Sequence, residues 1–418
     1  MPEGRVGVDV YAESLWPTPI GRLHGIYARG TETFSFTYAT DWLQSHALPM
    51  PLDPSLPMHE GPLYLNHLPG ILADSAPDRW GQRLMERRER ILATREQRLP
   101  RMLLSRDYLL GVNDATRMGG LRFRHPDSGV FLANEPLPVP PETSLREIQH
   151  YVRELETNQR VKPTEEQRWI TMLIAPGSSL GGARPKATYR DPDGSLWMAK
   201  FRSHEDTHDV GLWEFILTHL ANLAGIDVPP TKLLAADSGH HIFCAKRFDR
   251  DGDQRKVYAS AMTLTQMRDH EAASYLDVAN ALSRFGRNDS FGSDLKQLFR
   301  RAAFNILVAH RDDHLRNHGF LLTGDGWELS PAFDLNPLPN NLQHDLAIDD
   351  SNHAPDIGTL IKTADFYHLD ETHAKVIVDE VRAVISTMAD VAVDLGVDRS
   401  GAEDMAAAIT DLDSGLAW

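Results

Sequence analysis

The chain has 418 residues with a formal charge of -16 at neutral pH, and its 41% hydrophobic and 24% charged residues are ordinary for a globular protein. The acidic excess argues against a free-standing nucleic-acid binder, because neutralising phosphates requires clustered Lys and Arg. A single cysteine, Cys244, excludes an internal disulfide and fits a reducing compartment. Because no apolar stretch reaches membrane-spanning length and the N-terminus lacks a signal-peptide core, we expect a cytoplasmic protein.

The first 40 residues predict β-strands. Segments 6–11 and 22–27 are rich in β-forming residues, and segment 33–38 alternates aromatic and hydroxyl side chains with a period of two. From residue 75 to 106 the pattern changes to Arg and Glu mixed with Leu and Met, which predicts helix. The N-terminal region should therefore combine strands and helix.

A proline-rich stretch at 136–141 continues neither element and predicts a stiff linker, the best candidate for a domain boundary. After it, Ser144 and Glu147 have the spacing of a capping box ahead of a helix that runs to about Glu156.

Residues 175–186 form a loop rich in glycine and serine. Its glycines let backbone amides approach a polyanion closely, and Arg184 and Lys186 would favour phosphate there. The loop matches neither of the common glycine-rich nucleotide motifs, and such a loop alone is more often a turn. Its position directly before a lysine-bearing strand favours a nucleotide-cradling loop.

That strand is predicted over 196–201, where Lys200 lies among apolar neighbours. A buried ammonium group is costly unless it is paired, so Lys200 needs a phosphate or a carboxylate. Glu214, on a predicted helix, is a candidate to pair with and orient it, giving the strand-lysine then helix-glutamate order of protein kinases. The alternatives are a Lys200 whose ammonium reaches water and a Glu214 on the helix surface.

Segment 241–250 also has the composition of a strand. In a kinase, the backbone of this segment would line the adenine pocket.

Apolar residues from Leu295 to Leu307 recur at helical spacing and predict a core helix with Ser293 as its N-cap. The helix leads into HRDxxxxN at 310–317, the kinase pattern that places a catalytic base and a magnesium-binding asparagine on one loop. Residues 319–329 then predict a β-hairpin, which would return Asp334 to the side of Asn317.

Phosphoryl transfer depends mainly on positioning and charge neutralisation, which suggests a role for each of these residues. Asp312 would accept or orient the proton of the attacking hydroxyl, and Asp313 competes for that role with a less suitable spacing to Asn317. Asn317 and Asp334 supply oxygen ligands that suit Mg²⁺. His314 either contacts phosphate or braces the loop.

Two further assignments concern the nucleotide. Lys200 would grip the α- or β-phosphate, and residues 178–186 would cover the triphosphate.

Other chemistries use the same loop. The spacing of His310, Asp312 and His314 resembles that of zinc or iron ligands in metal-dependent hydrolases, although such a site would not need Lys200 or the glycine-rich loop. The loop also looks like that of small-molecule kinases of the aminoglycoside phosphotransferase type, with a sugar or choline-like acceptor. A third possibility is a non-catalytic module that holds a partner and acts as a corepressor, which the absence of ATP turnover would reveal.

Motifs spread over nearly the whole chain resemble one family. They occupy residues 74–81, 108–114, 177–186, 198–201, 247–250, 312–317 and 332–334. Together they resemble the HipA family of bacterial serine/threonine kinases, the toxins of type II toxin–antitoxin modules.

The resemblance implies an α+β, bilobal, protein-kinase-like fold related to the phosphatidylinositol 3/4-kinases. On this basis we predict a β-rich N-terminal subdomain at 1–135, the nucleotide-binding part of the small lobe at 136–255, and a helical catalytic C-lobe at 256–418.

The resemblance also implies ATP and Mg²⁺ as cofactors and assigns further nucleotide contacts. The implied ATP-binding residues are Gly181, Gly182, Ala183, Arg184, Pro185, Lys186, Lys200, Lys246, Arg247, Phe248, His314, Asn317 and Asp334. Lys246 departs from a well-known member, which has a glutamate there, but the adenine contact is mainly through backbone.

Family members autophosphorylate a serine that corresponds to Ser179, with Ser178 as a second candidate. Phosphate there would add about two negative charges where ATP phosphates bind, which would inactivate the enzyme. The alternative is a loop serine that only hydrogen-bonds phosphate.

In the best-known cases the family phosphorylates an aminoacyl-tRNA synthetase, which halts translation and promotes growth arrest or antibiotic tolerance. The implied partner is a helix-turn-helix antitoxin of the HipB type that binds operator DNA as a dimer. We identify no such module in this sequence, so DNA binding would occur only through the antitoxin complex.

Overall fold

The computed structural model describes residues 5–45, 47–133, 139–157, 184–236 and 239–410. The chain forms two compact units, Met1–Thr207 with Leu234–Ala259 and His208–Leu233 with Ser260–Trp418. The first unit thus contains both the predicted N-terminal subdomain and most of the predicted nucleotide-binding region. Within the described ranges, no helix has the length and apolar character needed to cross a membrane.

An antiparallel sheet of five strands lies in the first unit, in the order β4-β3-β2-β1-β5. Its strands are β1 (Arg5–Ala12), β2 (Gly21–Ala28), β3 (Thr31–Tyr38), β4 (Pro62–Leu65) and β5 (Leu121–Arg124). Arg29 and Gly30 both have positive φ and connect β2 to β3, as a tight hairpin matched to strand twist requires. The three strands predicted within the first 40 residues are confirmed.

Among its described residues, the first unit also contains helices α1 to α5. They span Thr40–Ser45, Gly70–Ala73, Arg79–Arg95, Ser105–Gly111 and Leu145–Glu156, with a 3₁₀ turn at Glu142–Ser144. The predicted capping box at Ser144 is wrong. Ser144 ends the 3₁₀ turn with helical backbone angles (φ -84°, ψ -9°), so it lacks the extended conformation in which a side chain caps a helix.

A second sheet of the first unit contains β6 (Lys186–Arg190), β7 (Leu196–Lys200) and β9 (His241–Lys246), all antiparallel. Strand β8 (Thr231–Ala235) spans the boundary between units, and β10 (Arg250–Asp251), β11 (Gln254–Arg255) and β12 (Tyr258–Ser260) follow.

Side chains alternate between the faces of this second sheet. On one face, Tyr189 and Trp197 pack in a buried cluster with Trp80 of α3 and Ile148 of α5. Strand register pairs Lys186 with Lys200, placing both on the other face.

The second unit is mainly helical. Its helices are α6 (Val210–Leu223), α7 (Ala261–Thr265), α8 (Tyr275–Phe285), α9 (Phe291–Leu307), α10 (Ile357–Lys362), α11 (Glu371–Ile385), α12 (Met388–Asp394) and α13 (Arg399–Thr410), with 3₁₀ turns at Leu315–Asn317 and Ala364–Tyr367. Strands β13 (Gly319–Thr323) and β14 (Gly326–Leu329) pair antiparallel and confirm the predicted hairpin.

Helix α9 is the predicted core helix, and its stripe residues Leu295, Leu298 and Phe299 are fully buried. The prediction of Ser293 as its N-cap is wrong, because the helix begins at Phe291 and Ser290 occupies the cap position. The hydroxyl of Ser293 instead donates to the carbonyl oxygen of Ser290 at 2.7 Å.

Candidate active site

The loop that follows α9 starts from a Schellman-type helix end. Ala309 takes a left-handed conformation with φ 54°, and the amide of His310 donates to the carbonyl oxygen of Asn305 at 2.9 Å. This conformation costs an alanine about 1–2 kcal/mol, so the surrounding contacts must stabilise it. It turns the chain out of α9 and into residues 310–318.

Contacts with a later part of the chain fix the first residues of this loop. The Nδ1 atom of His310 lies 2.8 Å from the carbonyl oxygen of Asn336. The amide of Asp345 donates to the carbonyl oxygen of Arg311 at 2.9 Å, and the buried Arg311 guanidinium contacts His344. The start of the loop is therefore anchored within the second unit.

Asp312 and Asp313 point in opposite directions. Asp312 is exposed, whereas Asp313 is only 2% exposed. Although the side chain of Asp312 reaches solvent, surrounding atoms remove part of its hydration, and this is the main reason why its pKa is raised. The neighbouring His314 lowers the pKa, and the negative charge of Asp334 raises it. A raised pKa makes Asp312 a better proton acceptor than an ordinary aspartate.

Asn317 lies near the residues on either side of Asp334, and a direct Asn317–Asp334 pair stays a prediction. Asn317 is buried, and its Nδ2 atom donates to the backbone oxygen of Asp312 at 3.0 Å. Asn317 also lines a small cavity with Phe333 and Leu335, which flank Asp334. Asp334 has a left-handed backbone (φ 63°), a strained conformation that concentrates at functional sites.

The side-chain oxygen atoms of Asn317 and Asp334 are of the kind that binds a hard cation. Asn317 Oδ1 is buried and has no hydrogen-bond partner in the described part of the chain. Asp334 adds a carboxylate close enough to Asp312 to affect its pKa. Mg²⁺ typically binds through one or two protein carboxylates and keeps several waters, so this donor set suits it. Among the described residues, no group of three or more His, Cys, Asp or Glu side chains is arranged to hold a metal.

His314 is partly buried beside Asp312. Its Nδ1 atom is buried and has no hydrogen-bond partner within the described ranges. Its carbonyl oxygen accepts a hydrogen bond from the amide of Asn317 at 2.8 Å. The backbone of His314 therefore braces the loop, and the predicted phosphate contact of its side chain stays a prediction.

The predicted nucleotide loop is described only from Arg184 onward. Ser178, Ser179, Gly181, Gly182 and Ala183 lie outside the described residues.

The basic residues of this loop have carboxylate partners. Arg184 makes a two-point contact with Asp206, at 2.7 and 2.6 Å. Lys186 Nζ lies 2.8 Å from Asp78 Oδ2, and both side chains are 3% exposed. Asp78 also caps α3 by accepting from the amide of Gly81. These positive charges are therefore already partly neutralised within the first unit.

Pro185 contributes through its backbone: its carbonyl oxygen accepts from the amide of Phe201 at 2.9 Å. This bond ties the end of the glycine-rich loop to the end of β7.

The other predicted lysines differ in environment. Lys200 is partly buried at the end of β7, with Nζ 5.7 Å from the centre of the Phe243 ring. Lys246 is 39% exposed and lies 4.0 Å from Asp193. Glu214 is 1% exposed in α6, so it is not the surface residue that the alternative supposed, and its orienting role stays a prediction.

Arg247 has a structural environment that sequence reasoning missed. Its guanidinium forms a two-point contact with buried Asp249, at 2.9 and 2.6 Å, and donates to the carbonyl oxygen of Arg117 at 3.0 Å. Arg250 and the amide of Gly119 both donate to Asp249 Oδ2 at 2.7 Å. We call Asp249 with its arginines Arg247 and Arg250 the arginine clamp; it binds the end of β9 to residues 116–119.

The guanidinium of Arg247 is already hydrogen-bonded within the arginine clamp. The predicted nucleotide contact of Arg247 would therefore use its backbone N–H and C=O groups. The neighbouring Phe248 packs its ring 6.2 Å from that of Tyr258. The only sequence signal for the clamp was a run of charged residues after a buried strand.

Acid should destabilise the first unit. Burial raises the pKa of Asp249, but the charges of Arg247 and Arg250 outweigh burial and lower it to about 2. The hydrogen bond from Arg98 lowers the pKa of buried Glu89 to about 2. Unfolding returns both groups to pKa values near 4, so their stabilisation is complete above about pH 5 and lost as pH falls toward 2. We expect the free energy of unfolding to fall by roughly 2 kcal/mol for each group.

Urea denaturation at pH 7, 5, 4 and 3 measures this loss. The variants Glu89→Gln and Asp249→Asn should each show a shallower dependence on pH than the parent chain. An unchanged slope in both variants would contradict the assignment.

Comparisons with known proteins agree with this architecture. Residues 178–391 match the HipA-like C-terminal domain, and residues 9–104 match the HipA N-terminal domain. The serine/threonine-protein kinase toxin HipA of Shewanella oneidensis is 24% identical over 338 residues, which is 73% of this chain and 70% of the relative. A solved complex of HipA, HipB and operator DNA from Shewanella oneidensis MR-1 aligns with a TM-score of 0.66 at 17% identity, covering 97% of this chain and 96% of that one.

The chain is a serine/threonine kinase with an α+β, kinase-like fold. It belongs to the HipA family, since the C-terminal domain match alone covers half of the sequence. The family resemblance and the fold class predicted from the sequence are thereby confirmed.

Proposed function

We propose that this chain is a Mg-ATP-dependent serine/threonine protein kinase that acts as the toxin of a toxin–antitoxin module. The observation that carries the proposal is the arrangement of three side chains. Asp312 is exposed, Asn317 bonds to its backbone at 3.0 Å, and Asp334 is near enough to raise the pKa of Asp312. Kinase chemistry requires this combination of a proton acceptor and cation-binding oxygens.

In this proposal Asp312 accepts the proton of the attacking serine or threonine hydroxyl. Asn317 Oδ1 and the Asp334 carboxylate are the candidate ligands for Mg²⁺, which when bound neutralises charge on the ATP phosphates. The buried surroundings of Asn317 hold its amide in one orientation, so little reorganisation is needed when the cation binds.

Nucleotide binding is proposed for residues of β7, β9 and the glycine-rich loop. Lys200 is suited to a phosphate because it carries its charge at the end of a packed strand. At Lys246, Arg247 and Phe248 the proposed contact is through backbone, which is supported by the structural use of the Arg247 side chain. Residues 181–186 would contribute backbone amides, except for Pro185, which has no N–H to donate.

Autophosphorylation is proposed at Ser179, with Ser178 as the second candidate. The purified chain should be incubated with radiolabelled ATP and Mg²⁺, and the phosphate located by mass spectrometry. We expect label on one of these serines and progressive loss of activity, because phosphate in this loop repels the triphosphate. The variants Ser179→Ala and Ser178→Ala identify which serine accepts it.

Several outcomes separate the competing functions. If neither serine nor any protein of a bacterial lysate is labelled, the protein-kinase proposal is wrong. Transfer to sugars without transfer to proteins would instead indicate a small-molecule kinase of the aminoglycoside phosphotransferase type. Nucleotide-independent partner binding without ATP turnover would indicate a corepressor.

The cellular target and partner are also proposals. An aminoacyl-tRNA synthetase is the proposed substrate, which would make the consequence inhibition of translation. A HipB-type antitoxin is the proposed partner, supported by the presence of HipB and operator DNA in the similar Shewanella complex. Phosphoproteomics of cells that express the chain tests the first, and co-purification with the product of a neighbouring helix-turn-helix gene tests the second.

A further inference from the structure

Asp313, the inward-facing neighbour of Asp312, has an unusual number of partners. Its Oδ2 atom accepts hydrogen bonds from the hydroxyl of Tyr275 and from Asn305 Nδ2 at 2.8 Å, and lies 3.0 Å from His318 Nε2. The side chain is 2% exposed. A single carboxylate oxygen thus gathers three donors from three separate parts of the second unit.

Two of these donors come from rigid elements. Tyr275 is the first residue of α8, whose start is fixed by a capping box formed by Ser274 and Asp277. Asn305 lies in the last turns of the buried helix α9, and its Nδ2 atom also reaches the Tyr275 hydroxyl at 3.2 Å. The carboxylate of Asp313 is therefore held against two packed helices.

The third donor, His318, connects Asp313 to Asn317, the proposed cation ligand. His318 directly follows Asn317, whose side chain in turn bonds to the backbone of Asp312. The contacts close a ring: Asp312 is joined to Asp313 by the chain, Asp313 to His318 by a hydrogen bond, and Asn317 back to Asp312 by another.

We propose that Asp313 is a positioning residue that holds Asp312 and Asn317 in their working geometry through this ring; the inference rests on the proposed kinase function. Because Asp313 directly follows Asp312, the backbone course that buries the side chain of Asp313 leaves the side chain of Asp312 exposed. The bond to His318 fixes the chain on the far side of Asn317, whose buried Oδ1 atom then keeps its place for the proposed cation.

The small contribution that a buried carboxylate makes to stability favours a positioning role for Asp313. A buried carboxylate stabilises a fold little beyond what a well-packed apolar side chain achieves, because desolvation offsets much of its attraction to donors. Burial raises the pKa of Asp313, but His318, by its charge and its hydrogen bond, outweighs burial and holds the pKa well below the usual range. The carboxylate is thus ionised and keeps all three of its donors oriented.

Two variants of the full-length chain test the proposal. Asp313→Asn keeps the size of the side chain and one acceptor oxygen but removes the negative charge, which weakens the hydrogen bonds from Tyr275, Asn305 and His318, and it puts a donor in place of the second oxygen. Tyr275→Phe removes one donor only. We expect kcat to fall about 10- to 100-fold in Asp313→Asn, the range typical when a partner that orients a metal ligand is removed. Tyr275→Phe should show a smaller fall.

The Mg²⁺ dependence separates positioning from loss of folded protein. In Asp313→Asn the Mg²⁺ concentration for half-maximal rate should rise several-fold, because Asn317 is displaced, whereas KM for the protein substrate should change little. A lower folded fraction alone would reduce the rate at every Mg²⁺ concentration in proportion. Asp325→Asn, at the exposed turn between β13 and β14, is the matched control and should behave like the parent chain.

The proposal is overturned if Asp313→Asn keeps the parent kcat and Mg²⁺ dependence, or if the loss only follows the folded fraction in thermal melts. Hydrogen exchange of peptide 311–318 supplies a readout without activity, and exchange should be faster in Asp313→Asn. If the parent chain transfers no phosphate, the proposed function fails by itself. Unchanged exchange in this peptide would then overturn the positioning inference separately.

Discussion

Replacement of Asp312 by alanine should lower the rate of phosphate transfer by about 10²- to 10⁴-fold, the usual contribution of a general base. The adjacent carboxylate in the sequence, Asp313, points into the protein and accepts hydrogen bonds from three donors. Asp334 is the proposed cation ligand and cannot accept the proton without weakening cation binding. Neither of these two carboxylates can therefore take over efficiently.

The measurement is single-turnover transfer from labelled ATP to the glycine-rich loop or to a lysate substrate, with ATP affinity measured in parallel. Asp312→Asn should be as impaired as Asp312→Ala, because the amide keeps the shape but cannot accept a proton. Asp325→Ala, at an exposed hairpin turn, should retain the parent rate. If Asp312→Ala kept more than about a tenth of the parent rate, the residue would not be the base.

The choice between the two adjacent aspartates shows what sequence spacing can predict. Spacing to Asn317 favoured Asp312, because the kinase pattern fixes the interval between base and asparagine. The structure shows alternating burial along residues 311–313, where Arg311 and Asp313 are buried and Asp312 between them is exposed. One aspartate must face the helices if the other faces solvent.

Elements with a strong local signal were predictable. The period of two in β3, the apolar stripe of α9 and the turn between β13 and β14 each reflect interactions among near neighbours, and each is present. Helix starts were less predictable. Ser144 and Ser293 both have suitable side chains, but whether a serine caps a helix depends on its backbone angles, which the preceding turn determines.

Contacts between distant segments were not predictable from one sequence. Lys186 was expected at phosphate, which stays a prediction, whereas the pairing of its buried ammonium with Asp78 at the start of α3 was not anticipated. Arg247 similarly reaches the carbonyl oxygen of Arg117. Nothing in the local pattern around a basic residue distinguishes a ligand contact from an ion pair within the fold, because both satisfy the same charge.

Replacement of Asp249 by alanine should destabilise the first unit by about 3–5 kcal/mol, the usual cost of removing one partner from a buried ion pair. The change leaves the guanidinium groups of Arg247 and Arg250 buried, at 2% and 8% side-chain exposure, without their shared carboxylate. It also leaves the amide of Gly119 without its acceptor. For a domain of this size, such a loss lowers Tm by roughly 6–20 °C.

The arginine clamp also joins the connection at Lys246–Phe248 to residues 116–119, so the same substitution should weaken nucleotide binding before the unit unfolds. Thermal melts of the full-length chain, with and without ATP and Mg²⁺, measure both effects. Asp253→Ala, an exposed aspartate four residues away, is the matched control and should change Tm by little. A normal Tm for Asp249→Ala would contradict the clamp itself. A reduced Tm with unchanged ATP affinity below the transition would show that the clamp stabilises the first unit without shaping its nucleotide-binding segment.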